Sequence, residues 1–361
     1  CLVGSEMCIR DSTKTYLVKI YRGTLLIISI EFWSMVKSLP SNKEFWLRLG
    51  TMNLPYKTTK EASKLLREGE LVAFPTETVY GLGADATNDK AVAKIFEIKG
   101  RPQFNPLISH LPTAQHAFEF GAFSETAKQL ASMLWPGPIT FVVPRSNNCP
   151  ISWLASAGLE TVAIRVPDHP VAKELLERAN IPVAAPSANI SGRISPTRSR
   201  HVHEEFGSNI SSILEGGDCK VGLESTVLDF SGTIPIILRP GHITKEQLES
   251  KIGTVEIASE NKIISSPGML ASHYAPKARV KTRMTTVMDG EAFLGFGNIS
   301  FEPFPNLSTK GDLVEAASNL FHMMRELDKQ DPTYISIAPI PNEGLGIAIN
   351  DRLQRAAAPR E

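Results

Sequence analysis

Apolar and polar residues follow one another along this chain with the two spacings that distinguish helices from strands. Short apolar runs bounded by turn residues predict strands over 71–74, 107–110, 140–143, 162–166, 182–185, 212–214, 225–230 and 235–238. Longer stretches, most of them with one apolar side, predict helices over 60–68, 88–100, 124–134, 170–179 and 199–206. Strands and helices in mixed order predict one α/β domain, which we place at 52–252.

Capping residues indicate where several of these helices begin and end. Thr58 can begin the first helix and Gly69 can end it, whereas Ser124 can begin the third. Thr244 with Gln247 forms a capping box, which predicts a last helix for this domain.

Residues 253–278 lose this regular spacing. Proline and glycine at 265–268 and a second proline at 276 predict a linker or lid. A second, smaller α/β domain is predicted at 279–361, with a strand at 334–338 and a closing helix after it. The apolar side of its first helix is formed by Leu313, Ala316, Ala317, Leu320, Phe321 and Met324.

The first 51 residues differ from the rest of the chain. Their opening, CLVGSEMCIRDS, resembles translated sequencing-adapter read-through, and Met52 stands just before the first well-formed helix signal. We therefore expect residues 1–51 to be an extension that is non-native or disordered. The apolar run 24–30 is shorter than the ~20 residues that a bilayer requires. Glu31 and Phe32-Trp33 follow it, where a signal peptide would have small residues.

Composition narrows the class of protein further. Of the 361 residues, 42% are hydrophobic and 21% are charged, which is ordinary for a globular chain. Lysine plus arginine balance aspartate plus glutamate at 38 each, so any anionic ligand must be held by a local basic cluster. The four cysteines form no CxxC pair, which argues against a zinc site or a disulfide framework and favours a reducing, cytoplasmic location.

Two basic residues flank a glycine where the second helix ends, at Lys99-Gly100-Arg101. Both side chains can point at one anion, because glycine allows a sharp turn and arginine can grip two phosphate oxygens. A helix C-terminus also favours basic residues without any ligand. The proline-bracketed loop that follows carries Asn105 and leads to His110 at a strand end, which favours a binding site.

Two further loops follow apolar strands and offer groups that bind phosphate. The segment 186–192 carries Ser187 and Asn189 among small residues whose N–H groups can form a cradle, although an ordinary Asx turn has the same composition. The segment 76–83 offers two hydroxyls, a carboxylate and glycines, or simply a glycine-rich turn. The sequence contains no Walker motif, no dinucleotide fingerprint and no GxSxG elbow.

Charged and aromatic residues also stand at strand ends and in the linker. Arg165 lies inside an apolar strand and requires an anion, either a structural carboxylate or that of a ligand. Arg239 ends another strand and allows the same two explanations, and Ser225 is either a strand residue or a ligand contact. His273-Tyr274 is either part of a lid over a site or a contact between domains.

Several of these segments together resemble the YrdC-like threonylcarbamoyl-AMP synthases. The resemblance lies in FPTETVYGLGADA, KGRPQFNPL, LWPGPITFV, VAIRVPDH, APSANISG, LESTVLD and ILRPG, in that order. Downstream, SPGMLASHYAP and GLGIAINDRLQRAAA look like the long, two-domain branch, so the resemblance covers about residues 54–358. It implies a YrdC-like mixed twisted sheet with helices and a smaller, Rossmann-like C-terminal α/β domain.

This resemblance implies a nucleotidyltransferase that joins L-threonine, bicarbonate and ATP into L-threonylcarbamoyladenylate and releases pyrophosphate. Mg²⁺ would accompany ATP. The product would serve t6A formation in tRNA through a downstream tRNA threonylcarbamoyltransferase, and tRNA itself is a further implied partner. No membrane partner is implied.

The matching motifs also imply which side chains bind the substrates. The residues that would bind threonine are Thr78, His110, Arg165, Ala185 and Ser225. The residues that would bind ATP are Arg101, Asn105, Thr161, Ser187, Asn189, Ser195, Arg239 and Tyr274. Lys99 and Arg101 would act at the phosphates as catalytic residues, and no residue is implied as a metal ligand.

Two other classes of protein stay open on the residues alone. A YrdC-like fold also suits an RNA-binding module with a concave basic surface, but the neutral net charge counts against that as the only role. A carbamoyltransferase of the hydrogenase-maturation type uses a related domain together with zinc-type cysteine pairs, and the sequence has no such pair.

Overall fold

A computed structural model describes residues 57–258, 272–299 and 304–359, and within residues 2–29 the backbone of four strands. The chain divides into two compact units, Cys1–Leu54 and Pro55–Glu361. The proline and glycine of 265–268 in the predicted linker lie outside the described residues. In the part of the chain that is described, no helix combines the length and the apolar character needed to cross a membrane.

The first unit contains four antiparallel strands in sequential order. They are β1 (Leu2–Val3), β2 (Glu6–Arg10), β3 (Thr15–Tyr21) and β4 (Thr24–Ser29). Strand β3 pairs with both β2 and β4. β-branched and aromatic residues, which favour strands, are frequent in 15–29. The non-native origin of residues 1–51 stays a prediction.

The second unit alternates helices and strands. Its helices are α1 (Thr59–Arg67), α2 (Asp89–Lys99), α3 (Ala114–Phe120), α4 (Glu125–Leu134), α5 (Pro170–Ala179), α6 (Ser199–Phe206), α7 (Lys245–Ile252), α8 (Leu313–Asp328) and α9 (Leu345–Ala357). The strands of its larger sheet are β5 (Val72–Phe74), β6 (Gly81–Asp85), β7 (Ile108–His110), β8 (Ile139–Pro144), β9 (Thr161–Arg165), β10 (Val183–Ala184), β11 (Ser212–Ile213), β12 (Thr226–Asp229), β13 (Ile236–Arg239) and β14 (Glu256–Ile257). Those of its smaller sheet are β15 (Arg279–Lys281), β16 (Glu291–Leu294) and β17 (Tyr334–Ile337).

The larger sheet is mixed and has the order β11-β5-β6-β10-β7-β9-β8-β12-β13-β14. Strands β5, β6, β10 and β7 are antiparallel neighbours, whereas β9 runs parallel to β7, and β12 runs parallel to β8. The smaller sheet is parallel throughout, in the order β15-β17-β16, and α8 and α9 pack with its strands. A large mixed sheet with helices and a small parallel α/β layer confirm the predicted fold class.

The helix ends agree with the capping residues that the sequence indicated. The Thr58 hydroxyl accepts from the N–H of Glu61, whose carboxylate accepts from the N–H of Thr58 at 2.9 Å. Ser124 caps α4, and Thr244 with Gln247 forms the predicted capping box at α7. These local signals therefore placed the helices within one or two residues of their observed starts.

A central strand occupies part of the segment 76–83, which the sequence left open as a turn or a site. Strand β6 begins at Gly81, and a Cβ on Gly83 would lie 2.8 Å from Val183 Cγ1 and 2.9 Å from Phe74 Cε1. Packing between strands thus requires the glycine that suggested a turn. The sequence pattern also predicted neither α3 nor β14, β15 and β16, which are all short.

Buried ion pairs join the helices of the smaller sheet to the larger one. Arg325 of α8 lies 3.0 Å from the carboxylate of Glu205 on α6, and Arg352 of α9 lies 2.9 Å from Glu224 Oε2. The predicted division into 52–252, a linker at 253–278 and 279–361 falls inside this single unit and stays a prediction.

Candidate active site

A cleft opens where several strands of the larger sheet end, and the segment that follows residue 272 closes one side of it. Its lining residues are Thr76, Thr78, Val79, Gly81, Arg101, Ile108, His110, Arg165, Ala185, Pro186, Ser187, Glu224, Ser225, Arg239, His273 and Tyr274. Among these, three arginines face a single carboxylate, so the lining carries an excess of positive charge that suits an anion.

Arg165 stands at the end of β9 and has a structural carboxylate as its partner. Its Nη2 lies 2.7 Å from Glu77 Oε1, and the two side chains are 4% and 8% exposed. The two atoms are close without the alignment of a hydrogen bond, so the contact is a charge pair. Of the two explanations that the sequence allowed for Arg165, the structural carboxylate is therefore the one observed, and it neutralises the buried charge without a ligand.

A short chain of hydroxyl groups leads away from Arg165. Its Nη1 donates to Thr78 Oγ1 at 2.8 Å, and Thr78 Oγ1 lies 2.8 Å from Thr76 Oγ1. Thr76 donates its own proton to the carbonyl of Val79 at 2.6 Å, so the proton between the two threonines belongs to Thr78. Thr78 therefore has no proton left to donate in the cleft, and one of its two acceptor lone pairs stays available.

His110 stands beside Arg165 at the end of β7 and is neutral. Its Nδ1 lies 3.2 Å from the Ile108 carbonyl, which can only accept, so Nδ1 carries the proton. Burial, with the nearby charge of Arg165, lowers the pKa of His110 to about 3. The ring packs edge-on against Phe74, with centroids 6.0 Å apart.

The depressed pKa of His110 predicts a loss of stability in acid. The unfolded chain binds a proton on this histidine from about pH 6.5 downward, whereas the folded chain resists until about pH 3. The contribution is fully present above pH 6.5 and should fall by roughly 3 kcal/mol near pH 4. We therefore expect the free energy of unfolding of His110→Asn, measured in urea, to decrease less between pH 6.5 and pH 4 than that of the wild type, by roughly 3 kcal/mol. His116→Asn, at an exposed position of α3, is the control. If the unfolding free energy of His110→Asn depended on pH as that of the wild type does, the low pKa of His110 would be contradicted.

Arg101 follows the left-handed Gly100 and points into the cleft. Its Nε donates to the Asn105 carbonyl at 3.2 Å and its Nη2 to the Pro106 carbonyl at 2.9 Å, which fixes the guanidinium against the 102–106 loop. Burial lowers the pKa of Arg101 to about 9. The side chain is therefore a preorganised cation at the cleft wall, as predicted from its place after the helix.

Lys99 has a different position from the one that its predicted catalytic role requires. It is 1% exposed and does not line the cleft. Its Nζ donates to the Ser187 carbonyl at 2.6 Å and to the Asn189 carbonyl. Burial and the charge of Arg101 lower its pKa well below the ordinary value. Lys99 thus holds the 186–192 loop in place, and Ser187 is the residue of that loop that reaches the cleft.

Four further residues predicted to bind ATP also lie outside the cleft lining. Asn189 braces its own loop by donating to the Ile190 and Arg193 carbonyls, and Ser195 donates to Glu224. Asn105 is fully buried, and its side-chain amide has no hydrogen-bond partner among the described residues.

Thr161, the fourth of these residues, lies at the far end of strand β9 from the cleft. It begins β9, whereas Arg165 ends it at the cleft. At about 3.3 Å per strand residue, the two lie about 13 Å apart along the strand. Thr161 therefore does not line the cleft, and its predicted contact with ATP stays a prediction.

Arg239 and Ser225 meet where β12 and β13 approach the cleft. Arg239 Nη2 donates to the Ser225 carbonyl at 2.9 Å and to its hydroxyl at 3.1 Å. Ser225 Oγ in turn lies 2.8 Å from Thr140 Oγ1 on β8. Burial lowers the pKa of Arg239. The predicted cation and the predicted hydroxyl are therefore parts of one hydrogen-bonded group.

Tyr274 lies between the cleft and helix α8, whereas the lid that the sequence suggested for this segment stays a prediction. It lines the cleft, and its ring stacks on Phe321 of α8 at a centroid distance of 5.6 Å. Its backbone has φ +62°, and its hydroxyl is buried without a hydrogen-bond partner among the described residues. Burial and the nearby Glu224 carboxylate raise its pKa above the ordinary value. Neighbouring His273 is also buried and lines the same wall.

The structure adds several cleft residues that the sequence did not single out. Glu224, which directly precedes Ser225, is the most informative of them, because a carboxylate repels an anionic ligand. Its partner, Arg352, lies 128 residues away, and no local pattern connects them. Thr76 could have been found from its place in the TET segment, whereas Pro186, Ile108 and Val79 carry no chemical signal. Gly81 and His273 were noted only as members of their motifs.

One group of possible metal ligands occurs among the described residues, at the contact between α6 and α8. The ligand atoms of His201, His322 and Glu326 lie within 4.8 Å of one another. His201 Nδ1 accepts from the Thr197 N–H at 3.2 Å, which puts the single ring proton on Nε2. His201 therefore has no free lone pair to offer a metal ion in this tautomer.

Comparison with known proteins gives consistent matches over the second unit. A family model described as "Telomere recombination" matches residues 64–241, and one described as "Threonylcarbamoyl-AMP synthase, C-terminal domain" matches residues 243–358. The chain is 40% identical over 322 residues to a threonylcarbamoyl-AMP synthase of Bacillus subtilis, covering 83% of this chain and 93% of the relative. It is 40% identical over 321 residues to one of Pyrococcus abyssi, with 83% and 94% covered.

A solved structure extends this likeness to three dimensions. The crystal structure of P. abyssi Sua5 complexed with L-threonine matches with a TM-score of 0.77 at 38% identity, covering 83% of this chain and 94% of that one.

Proposed function

Because this chain belongs to the threonylcarbamoyl-AMP synthase family, in its long two-domain form, we propose that it makes L-threonylcarbamoyladenylate from L-threonine, bicarbonate and ATP. Pyrophosphate and water are released. The observation that carries the proposal is the cleft in which three buried arginines stand beside a small polar pocket, in a fold that matches a threonine-bound relative.

The chemistry of this reaction fits a site without a protein nucleophile. The threonine amine attacks the carbon of bicarbonate or CO₂ to give a carbamate, and a carbamate oxygen then attacks the α-phosphorus of ATP. The bond from that phosphorus to the bridging oxygen breaks, and pyrophosphate leaves. The protein has to align the reactants and neutralise phosphate charge, which positioned cations and hydroxyls can do.

The threonine pocket is proposed at Thr78, His110, Arg165, Ala185 and Ser225, all of which line the cleft. Thr78 offers one acceptor lone pair, which suits the amine of threonine. Arg165 has five N–H donors, so it can pair with Glu77 and still donate to the threonine carboxylate. The compact, buried pocket suits a small amino acid.

The triphosphate site is proposed at Arg101, Ser187, Arg239 and Tyr274, which line the same cleft. The unpartnered Tyr274 hydroxyl supports a ligand contact there, because a buried polar group without a partner is costly. Asn105 has the same kind of unpartnered amide next to Arg101. We assign Lys99 and Asn189 to support of the Ser187 loop and assign no ATP contact to Thr161.

Mg²⁺ is proposed to enter with ATP. Glu224 is the carboxylate of the cleft lining, and Ser195 and Arg352 occupy its two oxygens. The residues present thus fit an ion that is held mainly by phosphate oxygens and water, as Mg²⁺ commonly is. When bound, it would neutralise charge on the phosphates.

The product is proposed to pass to a tRNA threonylcarbamoyltransferase that completes t6A. The acyl-adenylate contains a mixed anhydride, so an enzyme that consumes it needs only an amine acceptor on RNA and a place for the AMP leaving group. A direct contact with tRNA belongs to the same proposal.

The proposed function predicts that pyrophosphate release depends on threonine. Purified full-length protein with ATP, Mg²⁺ and bicarbonate should release pyrophosphate only when L-threonine is added, because the carbamate is the nucleophile at phosphorus. A coupled pyrophosphatase assay measures the rate, and mass spectrometry identifies the adenylate. D-threonine is the matched control. Equal release without threonine would contradict the function, and tight salt-sensitive tRNA binding without any product would favour an RNA-binding module.

A further inference from the structure

The carboxylate of Glu224 stands in a cleft that otherwise attracts anions. It lines the cleft together with Arg239 and Tyr274, its charge acts on both of them, and it is 6% exposed. A negative charge at such a position repels a polyanionic ligand, and it does so more strongly than in water because the surroundings are of low polarity. A cleft that accepts a triphosphate therefore needs this charge to be neutralised.

Arg352, on helix α9 of the smaller sheet, supplies the neutralising charge. Its Nε lies 2.9 Å from Glu224 Oε2, and its side chain is fully buried. Ser195 donates to the other carboxylate oxygen, so both oxygens are held. Arg352 also contacts Asp351 at 2.6 Å, but Asp351 is balanced by Arg355 at 2.9 Å.

We propose that Arg352 is a positioning residue for the nucleotide: its charge neutralises Glu224 and so makes the cleft accept a triphosphate. Helix α9 thereby makes ATP binding depend on the presence of the C-terminal sheet, although Arg352 does not line the cleft. This inference rests on the proposed function, since ATP is the polyanion. Arg352 is needed for ATP binding only because Glu224 carries a negative charge.

That dependence gives a test by double-mutant cycle on the full chain. Arg352→Gln should raise the dissociation constant of Mg-ATP by about tenfold to a hundredfold, as expected for an uncompensated charge near a polyanion. In a Glu224→Gln background the same substitution should raise it less than about threefold. Isothermal titration calorimetry measures ATP binding, and titration with threonine separately shows whether the neighbouring pocket is intact.

A purely structural role gives a different outcome. If Arg352 only holds helix α9, its replacement weakens ATP binding equally in both backgrounds, and that additivity would overturn the inference. Should Arg352→Gln fail to fold, Arg352→Lys keeps the charge and should bind ATP within about threefold of wild type, and a larger loss would overturn the inference too. Absence of ATP binding by the wild type would instead count against the proposed function.

Discussion

Replacing Arg101 with alanine is expected to lower kcat/KM for ATP by roughly 10²- to 10³-fold, the usual loss when one preorganised donor to developing charge is removed. The guanidinium is fixed by the Asn105 and Pro106 carbonyls and reaches the cleft without further ordering. Most of the effect should appear in ATP binding and turnover, because the threonine pocket is built from other residues. Steady-state pyrophosphate release measures it.

A matched control separates the phosphate role from a general loss of an arginine. Arg67 also donates to a backbone carbonyl, that of Arg178 at 2.6 Å, but it stands on α1 away from the cleft lining. Arg67→Ala should keep near-normal turnover. Arg101→Lys should recover part of the activity, since it keeps the charge and loses the planar fork. Near-normal turnover in Arg101→Ala would refute the assignment of this residue to phosphate.

The second large effect is expected from the buried pair of Arg165 and Glu77. Glu77→Ala leaves a buried guanidinium without its carboxylate, which should lower the free energy of unfolding by about 3–5 kcal/mol. Urea denaturation followed by circular dichroism measures this loss. Activity should fall as well, because Arg165 also positions Thr78.

An apolar replacement of the whole pair distinguishes stability from function. The double variant Glu77→Leu with Arg165→Met buries no charge, so it should recover most of the lost unfolding free energy while threonine-dependent activity stays low. A double variant as unstable as Glu77→Ala would contradict the electrostatic explanation. Recovery of activity with stability would show that Arg165 has no contact with threonine.

Local signals in the sequence were sufficient to predict most helices and the strands that follow them. Thr58, Ser124 and Thr244 are true caps, and short-range hydrogen bonds alone determine such starts. Strand β6 was missed because Gly81 and Gly83 resemble a turn, although it is the neighbouring strands that require them. A requirement set by residues distant in sequence leaves no local pattern.

The same distinction applies to the candidate site. Arg101, Arg165, Arg239, Ser187 and Tyr274 were predicted from motifs, and the fold gathers them around one cleft. What the motifs could not give is the direction of each side chain. Lys99, two residues from Arg101, turns to backbone carbonyls, and Thr161, four residues before Arg165, lies outside the cleft lining. These directions follow from strand and loop geometry that appears only in three dimensions.

The stacking of Tyr274 on Phe321 has a consequence for how the protein unfolds. Val79, Ile194 and Leu223, which lie in loops that connect elements around the larger sheet, belong to the same hydrophobic core as helices α8 and α9. The two sheets therefore do not have independent interiors, and heat that loosens α8 also removes one side of the cleft. A nucleotide bound there would slow amide hydrogen exchange in a helix that it never touches.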